Sequence, residues 1–435
     1  MNSMKENPNF FTNEYYSLLS LLSCEKSINK RSPYPTSFRE KGRARYECLA
    51  IEIVHEKKCQ LSCEWCFVAD AKGVDNKESQ PVEFSLICDI IDQATVLDKQ
   101  GQKLFGQVVF IGGEPTLHPD LDKMVRYTIS RGLTPIVVTN GLVLANLKYA
   151  KRICLPGVVI VTHLPFFNKT GDKLLNNKCG LLGYAGILKR AINNIISIRD
   201  EYAMMGQGKI EIVGNYVLGK LSLKYALDVH KFCRKNRITP FFERMRIAND
   251  FNNKGLIAGP EEIKKVLVKL FNYDKKNYPE FIQGAKNLSE KDEAIREAAY
   301  LIPPTFNSPC TMTQTGVHIK YSKKGFGDSI SCCGQKISHG NVNEVTLAQI
   351  LKNKENSKIF TRQKEYILGP CAACVLYDLV HCEGGCRGNA NYTFGCPRAS
   401  DPQCIFIKKS IRNNKEIMAP SDCDKCPISN QCKKA

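Results

Sequence analysis

Short apolar segments alternate with longer amphipathic segments over the first 245 residues of the chain. The apolar segments are rich in Val, Ile and Phe, as buried strands are. Six strands are predicted, at 48–54, 107–111, 134–139, 157–162, 209–217 and 238–244. Helices are predicted between them at 84–99, 119–131, 181–200 and 222–235, with a short helix after the third strand. This order favours a parallel α/β sheet covered by helices, and six strand–helix units predict a partial (β/α)6 TIM-like barrel.

Changes in the pattern predict four regions. Residues 1–47 are polar and lack clear periodicity, so we expect an N-terminal extension there. The predicted barrel covers 48–250 and ends at "DFNNKGLI", after which we expect a helical bridge over 251–305. The helices of this bridge are predicted at 260–272 and 289–300. Residues 306–435 follow a Pro-rich segment and are rich in Cys and Gly, as expected where metal stabilises the fold.

Composition narrows the class of protein. The 435 residues include 21 Cys and carry a formal net charge of +19. The N-terminal sequence lacks a signal-peptide pattern and the apolar runs are too short to span a bilayer, so we expect a cytoplasmic protein without a membrane partner. In that compartment closely spaced thiols favour metal ligation over disulfides. The positive charge would suit an acidic partner or reflect solubility alone, and the absence of a long basic run argues against nucleic acid.

Three cysteines lie within eight positions of "KKCQLSCEWCF", directly after the first predicted strand. Cys59, Cys63 and Cys66 have the spacing Cys-x3-Cys-x2-Cys, and Trp65 precedes the last of them. A zinc ribbon and a four-iron cluster each take four ligands, so three thiolates would leave one iron open to a small molecule. A surface zinc site or a chance grouping is the alternative interpretation of these three residues alone.

This motif resembles the signature of the radical S-adenosylmethionine (SAM) enzymes. The resemblance implies a [4Fe–4S] cluster on the three cysteines, whose open iron binds the amino and carboxylate groups of SAM, with Trp65 beside the adenine. It also implies that an electron, from a donor such as flavodoxin or ferredoxin, splits SAM into a 5′-deoxyadenosyl radical. That radical would abstract a hydrogen atom from the substrate.

Residues at the ends of later strands extend the resemblance. "GGEP" follows the second strand and matches the motif that holds the SAM amine, in which glycines allow close backbone approach and Glu114 can accept hydrogen bonds from an ammonium group. "VTNG" ends the third strand and also matches the family. The implied SAM contacts are Gly112, Gly113, Glu114, Pro115, Thr139, Asn140, Thr162, His163 and Asn215. The last three could equally be ordinary polar residues of strands.

The C-terminal cysteines resemble the SPASM extension of radical SAM enzymes, which carries two auxiliary [4Fe–4S] clusters. The resemblance implies one cluster on Cys310, Cys332 or the adjacent Cys333, and Cys386, and another on Cys371, Cys374, Cys382 and Cys404. The first set lacks an obvious fourth thiolate, and the spacing from Cys374 to Cys382 is longer than usual. Zinc knuckles are the alternative. A last group could complete one cluster, form a third with Cys396, or bind zinc: Cys423, Cys426 and Cys432.

The resemblance constrains the reaction more closely than the substrate. It implies a radical SAM oxidoreductase or maturase that modifies a peptide or protein by oxidation, cross-linking or epimerisation. A dehydrogenase or epimerase of a small molecule, such as an aminocyclitol or sugar, is the alternative, and a non-catalytic iron–sulfur or nucleic-acid-binding protein is the third hypothesis. Glu243, at the end of the sixth strand, is a candidate general base, with Arg244 and Arg246 placed to bind an anion. Ion pairs of the barrel wall would explain these three residues equally well.

Overall fold

The fold is that of a computed structural model. It describes residues 10–13, 15–16, 44–56, 58–66, 80–98, 101–246, 255–282, 289–301, 315–322, 325–332, 337–357, 364–380, 382, 384–420 and 426. Within these residues no helix is both long and apolar enough to cross a membrane.

Six parallel strands form the barrel half of the central sheet. They are β1 (Ala44–Val54), β2 (Lys103–Gly112), β3 (Thr134–Thr139), β4 (Val159–His163), β5 (Glu211–Leu218) and β6 (Thr239–Arg244). Each strand pairs in parallel with the next in chain order. All six predicted strands and the partial barrel are therefore confirmed, and the carboxyl ends of the strands meet at one edge.

Apolar side chains on both faces of these strands explain why the sheet forms. On the outer face Ile51, Phe110 and Ile160 are fully buried under the helices. On the other face Val159 and Val213 belong to a smaller apolar cluster. Burial on both faces is the pattern of parallel sheets and accounts for the nearly continuous apolar runs in the sequence.

Helices connect the strands: α1 (Phe84–Ala94), α2 (Leu121–Ser130), α3 (Leu147–Ile153), α4 (Lys169–Cys179), α5 (Tyr184–Met204) and α6 (Ala226–Lys235). The sequence did not predict α4, because "KTGDKLLNNKC" has few apolar residues. The helix begins where the side chain of Asn168 accepts a hydrogen bond from the Gly171 amide. It ends at Gly180, which is in the left-handed conformation.

The predicted bridge helices are present and pack against the barrel. They are α7 (Pro260–Asn277), which is longer than predicted, and α8 (Glu290–Tyr300). Asp274 of α7 is fully buried and joins three helices through its carboxylate. It binds His230 at 2.6 Å, pairs with Arg234, and accepts from the Tyr300 hydroxyl at 3.1 Å. This cluster attaches the bridge to α6.

The Cys-rich region adds three strands to the same sheet. They are β7 (Gly316–Ser322), β8 (Gly325–Ile330) and β9 (Ser338–Asn341). β7 pairs in parallel with β1, and β8 and β9 follow antiparallel. The sheet therefore runs β6-β5-β4-β3-β2-β1-β7-β8-β9 and crosses the boundary predicted at residue 306. The division of the chain into four regions remains a prediction.

Short helices complete the C-terminal region, and the N-terminal segment packs on it. The helices are α9 (Leu347–Asn356), α10 (Pro370–Ala373), α11 (Leu376–Leu379), α12 (Arg387–Phe394), α13 (Lys409–Arg412) and α14 (Lys415–Met418). Phe11 forms an antiparallel bridge with Ile407, and the Thr12 amide donates to the Phe406 carbonyl at 2.9 Å. Tyr15 also contacts the backbone next to Cys374, so this segment lies beside the C-terminal cysteines, a contact that its polar sequence surroundings did not indicate.

Candidate active site

The three-cysteine loop, residues 58–66, follows β1 at the carboxyl edge of the sheet. Cys59 is exposed, Cys63 is buried and Cys66 is half-buried, and none of the three forms a disulfide with another described residue. The Cys66 amide donates to the Cys63 carbonyl at 3.1 Å, which turns the loop tightly. Two N–H groups point at the Cys59 sulfur: the Leu61 amide at 3.4 Å and the Asn140 side chain at 3.6 Å. These donors favour the thiolate, but burial has the larger effect and raises the pKa of Cys59.

The predicted glycines allow the turn after β2 to approach the loop. A Cβ atom on Gly113 would overlap the Lys58 carbonyl oxygen, and one on Gly112, whose φ is +144°, would overlap Val54. The Glu114 amide donates to the Lys58 carbonyl at 2.9 Å. The close approach that these glycines permit is thus to the three-cysteine loop itself, and it fixes the start of that loop.

Glu114 is a buried carboxylate with four hydrogen-bond donors. Its Oε1 accepts from the Thr116 amide at 3.1 Å, the Thr116 hydroxyl at 2.6 Å and the Thr139 hydroxyl at 2.6 Å. Among the described residues, its Oε2 accepts from the Asn140 amide alone, also at 2.6 Å. Burial raises the pKa of Glu114, and the hydrogen bonds act in the opposite direction. Oε2 has lone-pair capacity for a further donor such as an ammonium group.

Pro115 begins the short 3-10 helix after Glu114. Further along the chain, β4 and β5 each carry a buried polar oxygen without a hydrogen-bond partner among the described residues. Thr162 Oγ1 and Asn215 Oδ1 are buried and accept or donate no hydrogen bond among the described residues. His163 pairs with Asn215 across β4 and β5, and burial lowers the pKa of His163 to about 4. Buried polar atoms in proteins are nearly always bonded, so the role of these two oxygens as ligand contacts stays a prediction.

A cavity of about 520 Å³, part of it open to solvent, adjoins these strand ends. Trp65, His163 and Asn215 line it, together with apolar side chains such as Phe166 and Met245. Ligand sites are commonly apolar with a few convergent polar groups, which is the composition here. The structure brings Trp65, His163 and Asn215, which the resemblance assigned to SAM, to one cavity. That they contact SAM stays a prediction.

Glu243 and its neighbouring arginines make contacts within the protein. Glu243 accepts from Arg246 at 2.8 Å in a partly buried ion pair. Arg244 is fully buried and donates to the carbonyls of Gln403 at 2.6 Å and Leu301 at 2.7 Å. The arrangement is that of the ion-pair alternative, and Arg244 links β6 to the C-terminal region. The role of Glu243 as a base stays a prediction.

Four C-terminal cysteines lie close enough for their charges to interact. We call them the C-terminal thiol group: Cys371, Cys374, Cys382 and Cys404. Burial has the largest effect on the pKa of Cys374 and raises it, and the negative charges of Cys371 and Cys404 raise it further. Burial likewise has the largest effect on the pKa of Cys404 and raises it, and the negative charges of Cys371 and Cys382 add to this increase. These are the four residues that the sequence assigned to one auxiliary cluster.

The remaining predicted ligands are described only in part. Cys386 begins α12, where its sulfur accepts from the Asn389 amide at 3.4 Å. Cys332 follows β8, and its charge interacts with Lys354. Cys426 accepts from Arg398 at 3.2 Å. The predicted ligands outside the described residues are Cys310, Cys333, Cys423 and Cys432.

Sequence reasoning missed three residues at these sites. Cys179, at the end of α4, hydrogen-bonds to Cys63. This bond is the largest cause of the raised pKa of Cys179, and burial is the second. The Tyr184 hydroxyl donates to the Asn140 carbonyl at 2.7 Å. The Tyr15 hydroxyl accepts from the Val375 amide at 3.0 Å, next to Cys374. No local pattern signals these contacts, because each joins residues far apart in the chain.

The predicted donor sets consist of Cys thiolates, which are the ligands of iron–sulfur clusters. No three His, Cys, Asp or Glu residues in the described part of the chain are grouped tightly enough to hold one metal ion. A mononuclear site draws its ligands to about 2.0–2.3 Å from the metal. An iron–sulfur cube is larger, binds through Cys thiolates and spreads its ligands more widely. Three thiols in one loop would supply three of the four ligands of such a cube and leave one iron for another ligand.

Two curated relatives match most of the chain, whereas no family model matches it. The AdoMet-dependent heme synthase of Nitratidesulfovibrio vulgaris is 20% identical over 391 residues, which cover 84% of this chain and 94% of that protein. The Fe-coproporphyrin III synthase of Methanosarcina barkeri is 26% identical over 388 residues, which cover 82% of this chain and 87% of that protein.

Two solved structures share the fold. SuiB from Streptococcus suis, solved with bound S-adenosylmethionine, has a TM-score of 0.51 at 18% identity, covering 82% of this chain and 76% of that one. The protein anSMEcpe, solved with bound AdoMet, has a TM-score of 0.54 at 16% identity, covering 80% of this chain and 91% of that one. At these identities the likeness shows the architecture, a TIM-like partial barrel.

Proposed function

We propose that this chain, which belongs to the radical SAM enzymes, abstracts a hydrogen atom from a peptide or protein substrate with SAM bound at the three-cysteine loop. When bound, the cluster would pass one electron from a donor such as flavodoxin or ferredoxin to SAM, and cleavage of SAM would yield methionine and a 5′-deoxyadenosyl radical. The residues of the chain bind SAM, orient it and exclude water. The domain division predicted from the sequence is part of this proposal.

The single observation that carries the proposal is the position of Glu114 behind the three-cysteine loop. Its backbone binds the loop at Lys58, and its buried Oε2 has capacity for one more donor. A carboxylate at that position can bind the ammonium group of a ligand whose other end reaches an open iron. Burial makes such a charged pair stronger than it would be in water.

The cavity beside β4 and β5 would take the nucleoside half of SAM. Asn215 Oδ1 would accept from a ribose hydroxyl or a base amine, because that oxygen has no hydrogen-bond partner among the described residues. Trp65 would stack on the adenine. Thr162 offers a second buried oxygen at the adjoining strand end. With these contacts SAM would be fixed at both ends.

A peptide substrate is supported by two observations. The net charge of +19 would attract an acidic peptide. SuiB, whose fold this chain shares at a TM-score of 0.51, has been solved bound to its precursor peptide SuiA. The C-terminal thiol group would hold an auxiliary cluster that accepts an electron from the substrate, which completes a two-electron oxidation. Glu243 would take up the released proton after its ion pair with Arg246 opens.

A second candidate function is modification of a porphyrin-type small molecule. The two curated relatives, named as a heme synthase and an Fe-coproporphyrin III synthase, align with more than 80% of this chain. Their names favour a small-molecule substrate, as the sequence alternative did, although of another chemical class than the sugars considered there. Product analysis with an acidic peptide and with a carboxylated porphyrin would separate the two candidates.

The proposal is tested by anaerobic reconstitution followed by iron and sulfide counting and a 5′-deoxyadenosine assay. The triple variant Cys59→Ala/Cys63→Ala/Cys66→Ala is expected to lose about four irons and all SAM cleavage. Its matched control replaces three cysteines outside the predicted sites with Ala: Cys88, Cys154 and Cys233. The control is expected to cleave SAM. SAM cleavage by the first variant, or zinc in place of iron in the wild type, would contradict the proposal.

A further inference from the structure

The C-terminal end of α4 is bonded directly to the three-cysteine loop. The Ser62 amide donates to the Cys179 carbonyl at 3.0 Å, and the Glu64 amide donates to the Lys178 carbonyl at 2.9 Å. Carbonyls in the last turn of a helix have no partner within the helix. Here the backbone of the loop satisfies two of them, so the end of α4 fixes the conformation of the loop on both sides of Cys63.

Side chains and a glycine at this helix end reinforce the contact. Lys178 and Glu64 form a half-buried ion pair at 2.8 Å. Gly180 has a φ of +70°, and a Cβ atom there would overlap the Ser62 hydroxyl. The chain must therefore leave the helix in a left-handed turn that only glycine adopts readily, at the point where the loop approaches most closely.

The Cys179 side chain lies in the middle of this contact. It is fully buried, and its thiol hydrogen-bonds to the sulfur of Cys63. The family signature does not include Cys179, which lies 113 residues beyond Cys66. Within the described part of the chain, neither Cys154 nor Cys233, the other fully buried cysteines of the barrel, has a thiol neighbour that affects its pKa. The pairing with Cys63 is therefore specific to the end of α4.

We propose that Cys179 is a positioning residue for the cluster, whose S–H group donates a hydrogen bond to the sulfur of Cys63 while the end of α4 holds the loop. The inference rests on the proposed function, because it takes Cys63 as a cluster ligand. A hydrogen bond to a ligating sulfur stabilises the more negative, reduced state of a cluster and raises its reduction potential. Cys179 thus makes the cluster easier to reduce.

The test is an anaerobic redox titration of the holoenzyme, monitored by electron paramagnetic resonance on the signal that changes when SAM is added. Cys179→Ala is expected to shift the midpoint potential of that cluster to a more negative value. Cys179→Ser keeps a donor and is expected to stay nearer to wild type. Cys154→Ala removes an equally buried thiol away from the loop and is expected to leave the potential unchanged.

The variants separate a structural role from the proposed one. If Cys179→Ala fails to retain its cluster, Cys179→Val fills the same volume without a donor and is titrated instead. A wild-type potential in a cluster-loaded Cys179→Ala or Cys179→Val variant would overturn this inference alone. A wild type without a SAM-responsive cluster would overturn the proposed function together with it, so the two failures are distinguishable.

Discussion

The two sets of thiols differ in their surroundings, although both consist of closely spaced cysteines. In the three-cysteine loop one sulfur is exposed, and the loop adjoins a cavity lined by Trp65 and His163. In the C-terminal thiol group none of the four cysteines is exposed. Solvent access at the first site suits a metal that binds a reactant, and enclosure of the second suits a metal that only carries electrons.

The charged groups around the two sets of thiols also differ. The C-terminal thiol group lies near two buried guanidinium groups: Arg387 lowers the pKa of Cys371 against the larger effect of burial, and the charge of Arg244 interacts with Cys382 and Cys404. Thiolates that are removed from water need such compensation. The three-cysteine loop instead has the buried carboxylate of Glu114 behind it, which is placed for a cationic ligand. The buried carboxylate of Asp401 also lies near the C-terminal thiol group, but Arg387 and Arg244 both face it. Under the proposed function, the loop would suit a cationic ligand and the C-terminal thiol group would suit the storage of charge.

The largest expected effect is a split between SAM cleavage and product formation. Cys371→Ala or Cys382→Ala removes a thiolate of the C-terminal group and leaves the three-cysteine loop intact. We expect 5′-deoxyadenosine to form in these variants while substrate modification is lost, because the substrate electron has no acceptor. Both products are measured by liquid chromatography and mass spectrometry. Complete loss of SAM cleavage in a folded variant would show that the two sites are not separate in function.

The link between the two regions is tested through stability. Arg244→Met leaves the carbonyls of Gln403 and Leu301 without their donor, so we expect the free energy of unfolding to fall by about 2–5 kcal/mol. Arg246→Met removes a partly exposed ion pair and is expected to cost about 1 kcal/mol or less. Urea unfolding of the two variants checks this. Equal losses would mean that Arg244 does not join the regions.

A smaller effect is expected from two neutral histidines, one in each region. Burial lowers the pKa of His163 at the barrel edge, and that of His339 in β9, to about 4. Because both folded pKa values lie below the unfolded value near 6.5, their contribution to stability is present above pH 6.5 and is lost as the pH falls towards 4. We expect each of His163→Phe and His339→Phe to remove about 1–3 kcal/mol of this acid dependence.

Acid unfolding followed by circular dichroism at several pH values measures that dependence. Adding SAM should distinguish the two histidine variants, since His163 lines the cavity and His339 does not. The ligand is expected to change the acid profile of the wild type and of His339→Phe, but to have less effect in His163→Phe. Identical responses of the two variants would argue against SAM in this cavity.

Local pattern was sufficient for most of the barrel, and two elements show where it fails. The strand at 134–139 was predicted with its exact bounds, because a short apolar run between polar turns has few alternatives in a parallel sheet. In contrast α4 was missed, since only a few of its residues, such as Leu175 and Cys179, are buried. β7 was missed because the stretch containing it is short and polar at one end, and its pairing with β1 is remote in sequence.

The strand–helix order, the three cysteines after β1 and the polar residues near the strand ends could all be derived from the amino-acid sequence alone. These follow from short-range periodicity and from the rule that the carboxyl ends of parallel strands share one edge. In contrast, the contacts between Cys179 and Cys63, between Arg244 and Gln403, and between Phe11 and Ile407 are visible in the folded structure alone. Such contacts join residues more than a hundred positions apart, and burial selects them after the chain has folded, so no local pattern records them.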